Sequence, residues 1–206
     1  MDAIALKIFV LGELYDNCYL VFDKNTRKGF IVDAPEGAGA AINDFIRKEK
    51  IDLSFVVLTH AHFDHIAGLS ELELPFYLHP DDAPLLENAN LNGSCFFSTA
   101  VIVKKEPNFL NEDKPLFLGE HKIKCIHTPG HTPGSVSLHL ENLLFSGDTL
   151  FANSIGRTDI PLASSEVLLR SIKEKLLVLP KDTIVYPGHG SSTTVGKELK
   201  FNPYLV

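Results

Sequence analysis

The sequence contains little cysteine, and its three thiols lie far apart. Cys18, Cys95 and Cys125 form no C-x-x-C pair in a chain of 206 residues, so neither a disulfide framework nor a thiolate zinc site is expected. Each is instead expected to be a buried structural thiol. This cysteine usage is typical of a reducing compartment, and we predict that the protein is cytoplasmic.

Positive charge and long apolar runs are also scarce. Lys and Arg number 19 against 26 Asp and Glu, only four of them are Arg, and the formal net charge is −7. A nucleic-acid partner, which requires clustered cations, is therefore not expected. No apolar run approaches the ~18 residues of a membrane span, and the first residues form no basic leader, so we expect no membrane association.

Internal repeats and Gly/Ser linkers are absent as well, which predicts one domain over residues 1–206. Apolar segments 4–11, 18–23 and 29–33, separated by turn residues, predict an antiparallel meander. Further strands are expected over residues 55–58, 76–78, 116–118, 121–127, 135–140, 143–146 and 183–186. Helices are expected over residues 36–50, 64–72, 81–87 and 164–177. Strands with helices between them indicate two sheets covered by helices.

Histidine, by contrast, is abundant, and four ligand-competent side chains cluster in one short segment. Residues 59–65 read Thr-His-Ala-His-Phe-Asp-His. His60 and His62 project from the same side of an extended segment, and Asp64 and His65 follow where the chain should enter a helix. Four such side chains within six residues can supply two adjacent metal ions.

Three further segments share one design, in which an apolar strand ends in a polar side chain beside Gly or Pro. They deliver His131, Asp148 and His189, and ligands at strand ends are common in α/β proteins. Nitrogen and oxygen ligands suit Zn²⁺, Fe or Mn²⁺. We therefore expect two divalent ions, Zn²⁺ in the first instance, with Asp148 as a natural bridge. Such a pair would share a hydroxide with a pKa near ~7.

These motifs resemble those of the metallo-β-lactamase-fold hydrolases, and specifically of the glyoxalase II-like (hydroxyacylglutathione hydrolase-like) branch. The segments that carry the resemblance are residues 17–21, 32–33, 59–65, 128–135, 147–149, 156–159 and 187–190. The resemblance implies an α/β (α+β) fold, a four-layer αββα sandwich. It also implies one ion held by His60, His62 and His131, a second held by Asp64, His65 and His189, and Asp148 between them. Asp64 and Asp148 are the catalytic candidates.

The function implied is hydrolysis of an acyl thioester of the S-acylglutathione type, or of a related ester, so the expected partner is a small-molecule substrate. A thiolate, with a conjugate pKa near ~8.5, can leave without a general acid. Glyoxalase II enzymes carry a helical C-terminal domain whose basic residues bind glutathione. Too few residues follow His189 for such a domain, so we expect the glutathione pocket to be absent or rebuilt.

Two alternative reactions remain open. A persulfide dioxygenase would hold one Fe with His60, His131 and Asp148. Gly190, rather than the Asp of that branch, follows His189, which favours the hydrolase. Lactone hydrolysis is the other alternative, because the same nucleophile attacks any activated carbonyl.

Three residues outside the ligand set also have predicted roles. Asp33 ends an apolar strand and could orient a ligand histidine. Phe96 and Phe97 could line an acyl pocket or pack in the core.

Overall fold

The structure is a computed structural model that describes residues 3–97 and 99–205, and its framework is two six-stranded β-sheets. Across the first sheet the order is β1 (Ile4–Leu11), β2 (Asp16–Asp23), β3 (Lys28–Val32), β4 (Asp52–Val57), β5 (Phe76–Leu78) and β6 (Asn108–Phe109). Across the second it is β14 (Thr193–Thr194), β13 (Ile184–Pro187), β10 (Leu143–Gly147), β9 (Val136–Leu140), β8 (His121–His127) and β7 (Leu116–Leu118). A small ribbon pairs β11 (Leu150–Phe151) with β12 (Ser154–Ile155).

Five short or medium helices connect these strands. They are α1 (Ala38–Glu49), α2 (Phe63–Ile66), α3 (Ala83–Leu86), α4 (Ser165–Ser171) and α5 (Val195–Phe201). Single 3₁₀ turns lie at Leu69–Glu71, Pro80–Asp82 and Ser94–Phe96, and α4 continues as a π-helical stretch over Ile172–Leu176. Among the described residues, no helix combines the length and the apolar composition needed to cross a bilayer.

Strand β2 shows how the layers stack, because all eight of its residues are buried. Cys18 and Leu20 pack on one side in a cluster that includes residues of α1. Tyr19 and Val21 pack on the other side against Leu138 and other residues of the second sheet. A strand covered on both faces lies in the interior of a layered fold.

The outer face of the second sheet is covered in the same way. Leu144 and Val185 pack in a cluster with Leu168 of α4 and Val195 of α5. The layers are therefore helix, sheet, sheet and helix, which confirms the predicted αββα sandwich.

Parallel pairing brings several strand ends to one edge of each sheet. β3, β4 and β5 run parallel to one another, as do β10 and β13. The loops that follow β3, β4, β10 and β13 begin at these shared carboxyl ends, where sites of α/β proteins are usually built. The ligand-bearing segments predicted from the sequence all start there or in the neighbouring β8–β9 loop.

Two helices depart from their predicted extents, and one cysteine prediction is wrong. The helix expected over 64–72 ends at Ile66, because the Gly68 N–H donates to Ala34 O at 2.7 Å. A Cβ atom at residue 68 would lie 2.0 Å from Pro35 O, so this close approach requires glycine. The C-terminal helix α5 was not predicted from its seven residues. Cys95 is exposed rather than buried, unlike the other two thiols.

Candidate metal centre

The structure brings together all seven ligand candidates predicted from the sequence. They fall into overlapping groups whose ligand atoms lie within 4.8 Å of one another: His60, His62 and His131; Asp16, Asp64, His65 and His189; and His60, His65 and Asp148. The first two groups match the two ion sites implied by the resemblance, with one residue, Asp16, added. The third group links them through Asp148.

Asp148 lies between the two sets of imidazoles. Its Oδ1 is 3.5 Å from His65 Nε2, and its Oδ2 is 3.6 Å from His131 Nε2 and 3.5 Å from His189 Nε2. In the first group, His62 Nδ1 faces His131 Nε2 at 2.8 Å. In the second group, Asp64 Oδ2 is 3.4 Å from His189 Nε2. One carboxylate thus offers an oxygen to each group, as a bridging ligand must.

Four of the five histidines are oriented by a bond to the ring nitrogen that faces away from the site. His65 Nδ1 is 2.9 Å from Asp33 Oδ2, and His60 Nδ1 is 3.2 Å from the Thr59 hydroxyl. Carbonyl oxygens hold the other two, at 2.9 Å from His131 Nδ1 and 3.1 Å from His189 Nδ1. Each partner can accept a hydrogen bond from Nδ1–H, and in that tautomer the lone pair of Nε2 is directed into the site.

Asp33 therefore orients His65, as the sequence suggested. It also accepts hydrogen bonds from the Thr59 N–H at 2.7 Å and the Thr59 hydroxyl at 2.8 Å. Since Thr59 in turn contacts His60, one buried carboxylate influences a histidine in each ligand group. Asp33 adopts a left-handed backbone conformation with φ 58°. In this conformation its side chain contacts Thr59 and His65.

The residues present fit a pair of divalent cations. His60 Nε2, His65 Nε2 and Asp148 Oδ1 are buried and have no hydrogen-bond partner among the described residues, although buried polar atoms are almost always satisfied. A Cβ atom at Gly188 would lie 2.1 Å from Asp148 Oδ1 and 2.7 Å from His65 Cε1. Glycine thus keeps clear the space that these atoms face, and their nitrogen and oxygen chemistry suits Zn²⁺, Fe or Mn²⁺.

The two groups differ in electrostatics. Burial lowers the pKa of His60 and His62, that of His62 to about 3. Burial acts in the same direction on His65 and His189, but neighbouring carboxylates outweigh it and raise their pKa values to about 10 and about 11. Burial also opposes ionisation of Asp148, yet the charge of His65 keeps its pKa at about 2. Cations binding to the second group therefore displace protons.

Sequence reasoning missed two buried carboxylates. Asp16 was interpreted as a turn residue, but its side chain is fully buried beside Asp64, His65 and His189. The available signal was an acidic residue two positions before the apolar run 18–22. Asp82 joins two ligand loops, because it accepts bonds from the Ala61 and Gly134 N–H groups at 2.9 and 2.7 Å. Nothing in its local sequence distinguishes it from exposed Asp81.

A cavity of about 580 Å³ opens over the ligand groups. Its floor includes His62, Asp64, His131, Asp148 and His189, and its walls are mainly apolar. The apolar wall residues are Leu14, Phe63, Leu91, Phe96, Phe97, Phe151, Ala152, Ile155, Ile160 and Pro161. Phe96 and Phe97 therefore line the pocket, and Phe97 stacks on Phe63 with ring centroids 4.3 Å apart.

A fourth His/Asp group lies apart from this site and consists of His79, Asp81 and His127. The two imidazole rings are stacked 3.9 Å apart at an interplanar angle of 12°. Their in-plane lone pairs are therefore nearly parallel and do not converge on one ion. His79 Nδ1 accepts a hydrogen bond from the Asp81 N–H at 3.3 Å, so this side chain caps the turn.

Comparison with known sequences identifies the family. The family described as the Metallo-beta-lactamase superfamily matches residues 11–189. A relative in Bacillus subtilis (strain 168), "Probable metallo-hydrolase YqgX", is 39% identical over 202 residues, which are 95% of this chain and 94% of the relative. The "Hydroxyacylglutathione hydrolase GloC" of Haemophilus influenzae is 31% identical over 208 residues, or 97% of each chain.

Solved structures agree with the observed architecture. The BLEG-1 B3 metallo-beta-lactamase superposes with a TM-score of 0.91 at 38% identity, covering 98% of this chain and all of its own. TTHA1623, solved in a di-iron-bound form, superposes with a TM-score of 0.84 at 36% identity, covering 97% of this chain and all of its own.

Proposed function

This chain belongs to the metallo-beta-lactamase superfamily, and on that basis we propose that it is a dinuclear metal-dependent hydrolase of acyl thioesters, resembling the glyoxalase II-like enzymes. The observation that carries the proposal is the pair of ligand groups joined at Asp148 on the floor of one cavity. The full-length similarity to a hydroxyacylglutathione hydrolase supports the thioester class.

Two divalent ions bound to these groups would lower the pKa of a water molecule toward ~7 and polarise a substrate carbonyl. The protein's part is to hold the ligands rigidly and to position the substrate. Asp33, Thr59 and two backbone carbonyls hold the imidazoles. Asp148 offers one oxygen to each group, and the aromatic wall of the cavity keeps bulk water from the acyl group. Preorganisation of this kind accounts for a large part of enzymatic rate enhancement.

The cavity also favours a good leaving group. Beyond the ligand candidates, the only ionisable side chain that lines it among the described residues is Arg157, which stays protonated near neutral pH. The lining thus supplies no separate general acid to protonate an amine. A thiolate needs none, because its conjugate pKa is near ~8.5. Thioesters are therefore the substrates that this set of side chains can best cleave.

The walls indicate which thioesters fit. Ten apolar side chains among the described residues surround the ligand groups, whereas Arg157 is bound to Asp159 through hydrogen bonds of 2.8 and 3.0 Å. The two carboxylates of a glutathione moiety would find little compensating charge in this cavity. We propose an apolar or aromatic acyl group as the preferred substrate part, contacting Phe96 and Phe97.

The test is a metal determination on the purified protein together with a panel of acyl thioesters, including S-lactoylglutathione, and of esters and lactones. We expect two ions per chain and thioester hydrolysis. Asp148→Ala should reduce kcat/KM by at least about two orders of magnitude and lower the metal content. Asp52→Ala, which changes an exposed aspartate, is the control and should leave both unchanged.

Three outcomes would contradict the proposal. Metal-replete protein that hydrolyses no thioester would refute the assigned reaction. One iron per chain with persulfide-dependent O₂ uptake would identify a dioxygenase. Faster turnover of lactones than of every thioester would identify a lactonase.

A further inference from the structure

Asp16 is built into the candidate metal centre by its backbone. It opens β2 and forms an isolated β-bridge with His189. The next residue strengthens the connection, because Asn17 N–H donates to Gly188 O at 2.7 Å and its side-chain amide donates to Pro187 O and Gly190 O at 3.0 and 2.9 Å. The start of β2 and the His189 loop thus form one rigid unit.

Among the described residues, the carboxylate of Asp16 has no hydrogen-bond partner. Its side chain is fully buried, and neither oxygen is satisfied. The nearest cationic candidates, His189 Nε2 and His65 Nε2, are 3.4 and 3.9 Å from Oδ1, which are ion-pair distances but too long for hydrogen bonds of ordinary strength. Buried carboxylate oxygens without a hydrogen bond are rare, and a bound cation would satisfy both of them.

Among the described residues that line the second cavity beside Asp16, no Lys or Arg supplies a positive charge. This cavity, of about 510 Å³, shares Phe63 and Phe97 with the first. Its described lining contains the acidic residues Glu13, Asp16, Glu36, Asp64 and Glu71. Beside this acidic lining, a bound cation is the partner that the Asp16 oxygens lack.

The spacing of the polar atoms agrees with this interpretation. The distances from Asp16 Oδ1 and from Asp64 Oδ2 to the Nε2 atoms of His65 and His189 are 3.4 to 3.9 Å. Ligand atoms in a tetrahedral shell about 2.1 Å from an ion lie about 3.4 Å apart. Gly12 leaves room for the carboxylate, since a Cβ atom there would lie 2.8 Å from Asp16 Oδ2.

We infer that Asp16 is a protein ligand of the second ion, in addition to Asp64, His65 and His189. This inference rests on the dinuclear centre of the proposed function but not on the thioester reaction. The second site would then contain two carboxylates of its own and share Asp148, whereas the first contains three imidazoles. Because carboxylates favour harder cations, the second site should prefer Mn²⁺ or Fe²⁺ relative to the first.

The test uses Asp16→Asn, which preserves shape and removes the charge. Metal content after equilibrium dialysis, with competition by a chromophoric chelator, should show loss of one ion per chain, or at least about tenfold weaker binding of it. Binding of the other ion should stay within about twofold. Asp23→Asn, at the opposite end of β2, is the matched control and should bind both ions as the parent does.

Thermal unfolding of Asp16→Asn, with and without metal, distinguishes a ligand role of Asp16 from a merely structural one. The midpoint of thermal unfolding of the metal-free protein should change little, because Asp16 accepts no hydrogen bond from the described residues, whereas the metal-loaded variant should melt below the metal-loaded parent. Unchanged affinity for both ions in Asp16→Asn, or a decrease in both midpoints with unchanged stoichiometry, would overturn the inference. Loss of one ion in a protein that cleaves no thioester would leave the inference intact and refute only the proposed reaction.

Discussion

Glycine 188 illustrates how much of the centre depends on single residues. It lies between a strand end and a ligand histidine, and no side chain can be placed there without entering the space between Asp148 and His65. Single contacts also set the orientation of four histidines. The group that contacts each Nδ1 atom determines where the Nε2 lone pair of that ring points. At the scale of single residues, the centre therefore depends on the space left free at Gly188 and on the orientation of each imidazole.

We predict that Gly188→Ala abolishes metal binding without unfolding the protein. Its Cβ would lie 2.1 Å from Asp148 Oδ1, so the bridging carboxylate must move. Metal content and kcat/KM are the measurements, and circular dichroism establishes the fold.

Gly190→Ala is the matched control. A Cβ atom at Gly190 meets nothing within 4 Å, although its φ of +75° makes the substitution cost about 1 kcal/mol of stability. If Gly188→Ala retained two ions and full activity, the ligand arrangement described above would be incorrect.

At the level of elements, the centre is a meeting point of loops that are held together by buried polar contacts. Asp82, in the 3₁₀ turn after β5, accepts hydrogen bonds from the loop that carries His60 and His62 and from the loop that carries His131. The two loops belong to different sheets, so this one carboxylate fixes part of the inter-sheet geometry. Burial raises its pKa, opposed by these hydrogen bonds.

We predict that Asp82→Asn weakens both stability and metal binding. An amide has one accepting oxygen, and its NH₂ group would face N–H or O–H donors, so at least one of the three bonds is lost. Since hydrogen bonds to charged groups contribute roughly 1.5–3 kcal/mol, the free energy of unfolding should fall by about 3 kcal/mol. Urea unfolding and metal titration measure the two effects. Asp81→Asn, on the exposed neighbour, should change neither the stability nor the metal binding. Equal effects of the two variants would show that Asp82 does not bridge the two loops.

The strands were predicted better than the helices. The meander and the longer parallel strands have clear apolar patterns bounded by turn residues, so their extents agree within about three residues. The two-residue strands β6, β11, β12 and β14 were not predicted. The helix expected from residue 64 stops early because a tertiary contact at Gly68 determines its end. Local spacing contains no information about such a contact.

For the molecule as a whole, the second ligand group concentrates negative charge in the interior. Without an ion, the carboxylates around His65 and His189 raise their pKa values to about 10 and about 11, well above the ordinary 6.5. Protonated histidines thus substitute for a cation in the metal-free protein. The stability of the whole sandwich is consequently coupled to pH and to metal.

We predict that the metal-free protein loses stability as pH rises from 7 to 9, whereas the metal-loaded protein does not. A raised folded-state pKa contributes stability that is fully present below about 6.5 and is lost as pH rises through the folded-state values of about 10 and 11. Bound cations displace those protons and remove the dependence. Thermal unfolding midpoints across this range, with and without chelator, measure the difference. Parallel pH profiles for the two forms would contradict the assignment.

The sequence by itself determined the set of candidate ligands, because seven nitrogen and oxygen donors occur in local patterns at predicted strand ends. The αββα class followed from resemblance and was confirmed by the packing of both sheets. Only the tertiary structure brought Asp16 and Asp82 to the candidate centre, since the residues around them are distant in the chain and buried charge leaves no periodic signal. It also decided which nitrogen of each histidine faces the site. That choice depends on contacts across as many as 175 residues of sequence, as between His189 and Leu14.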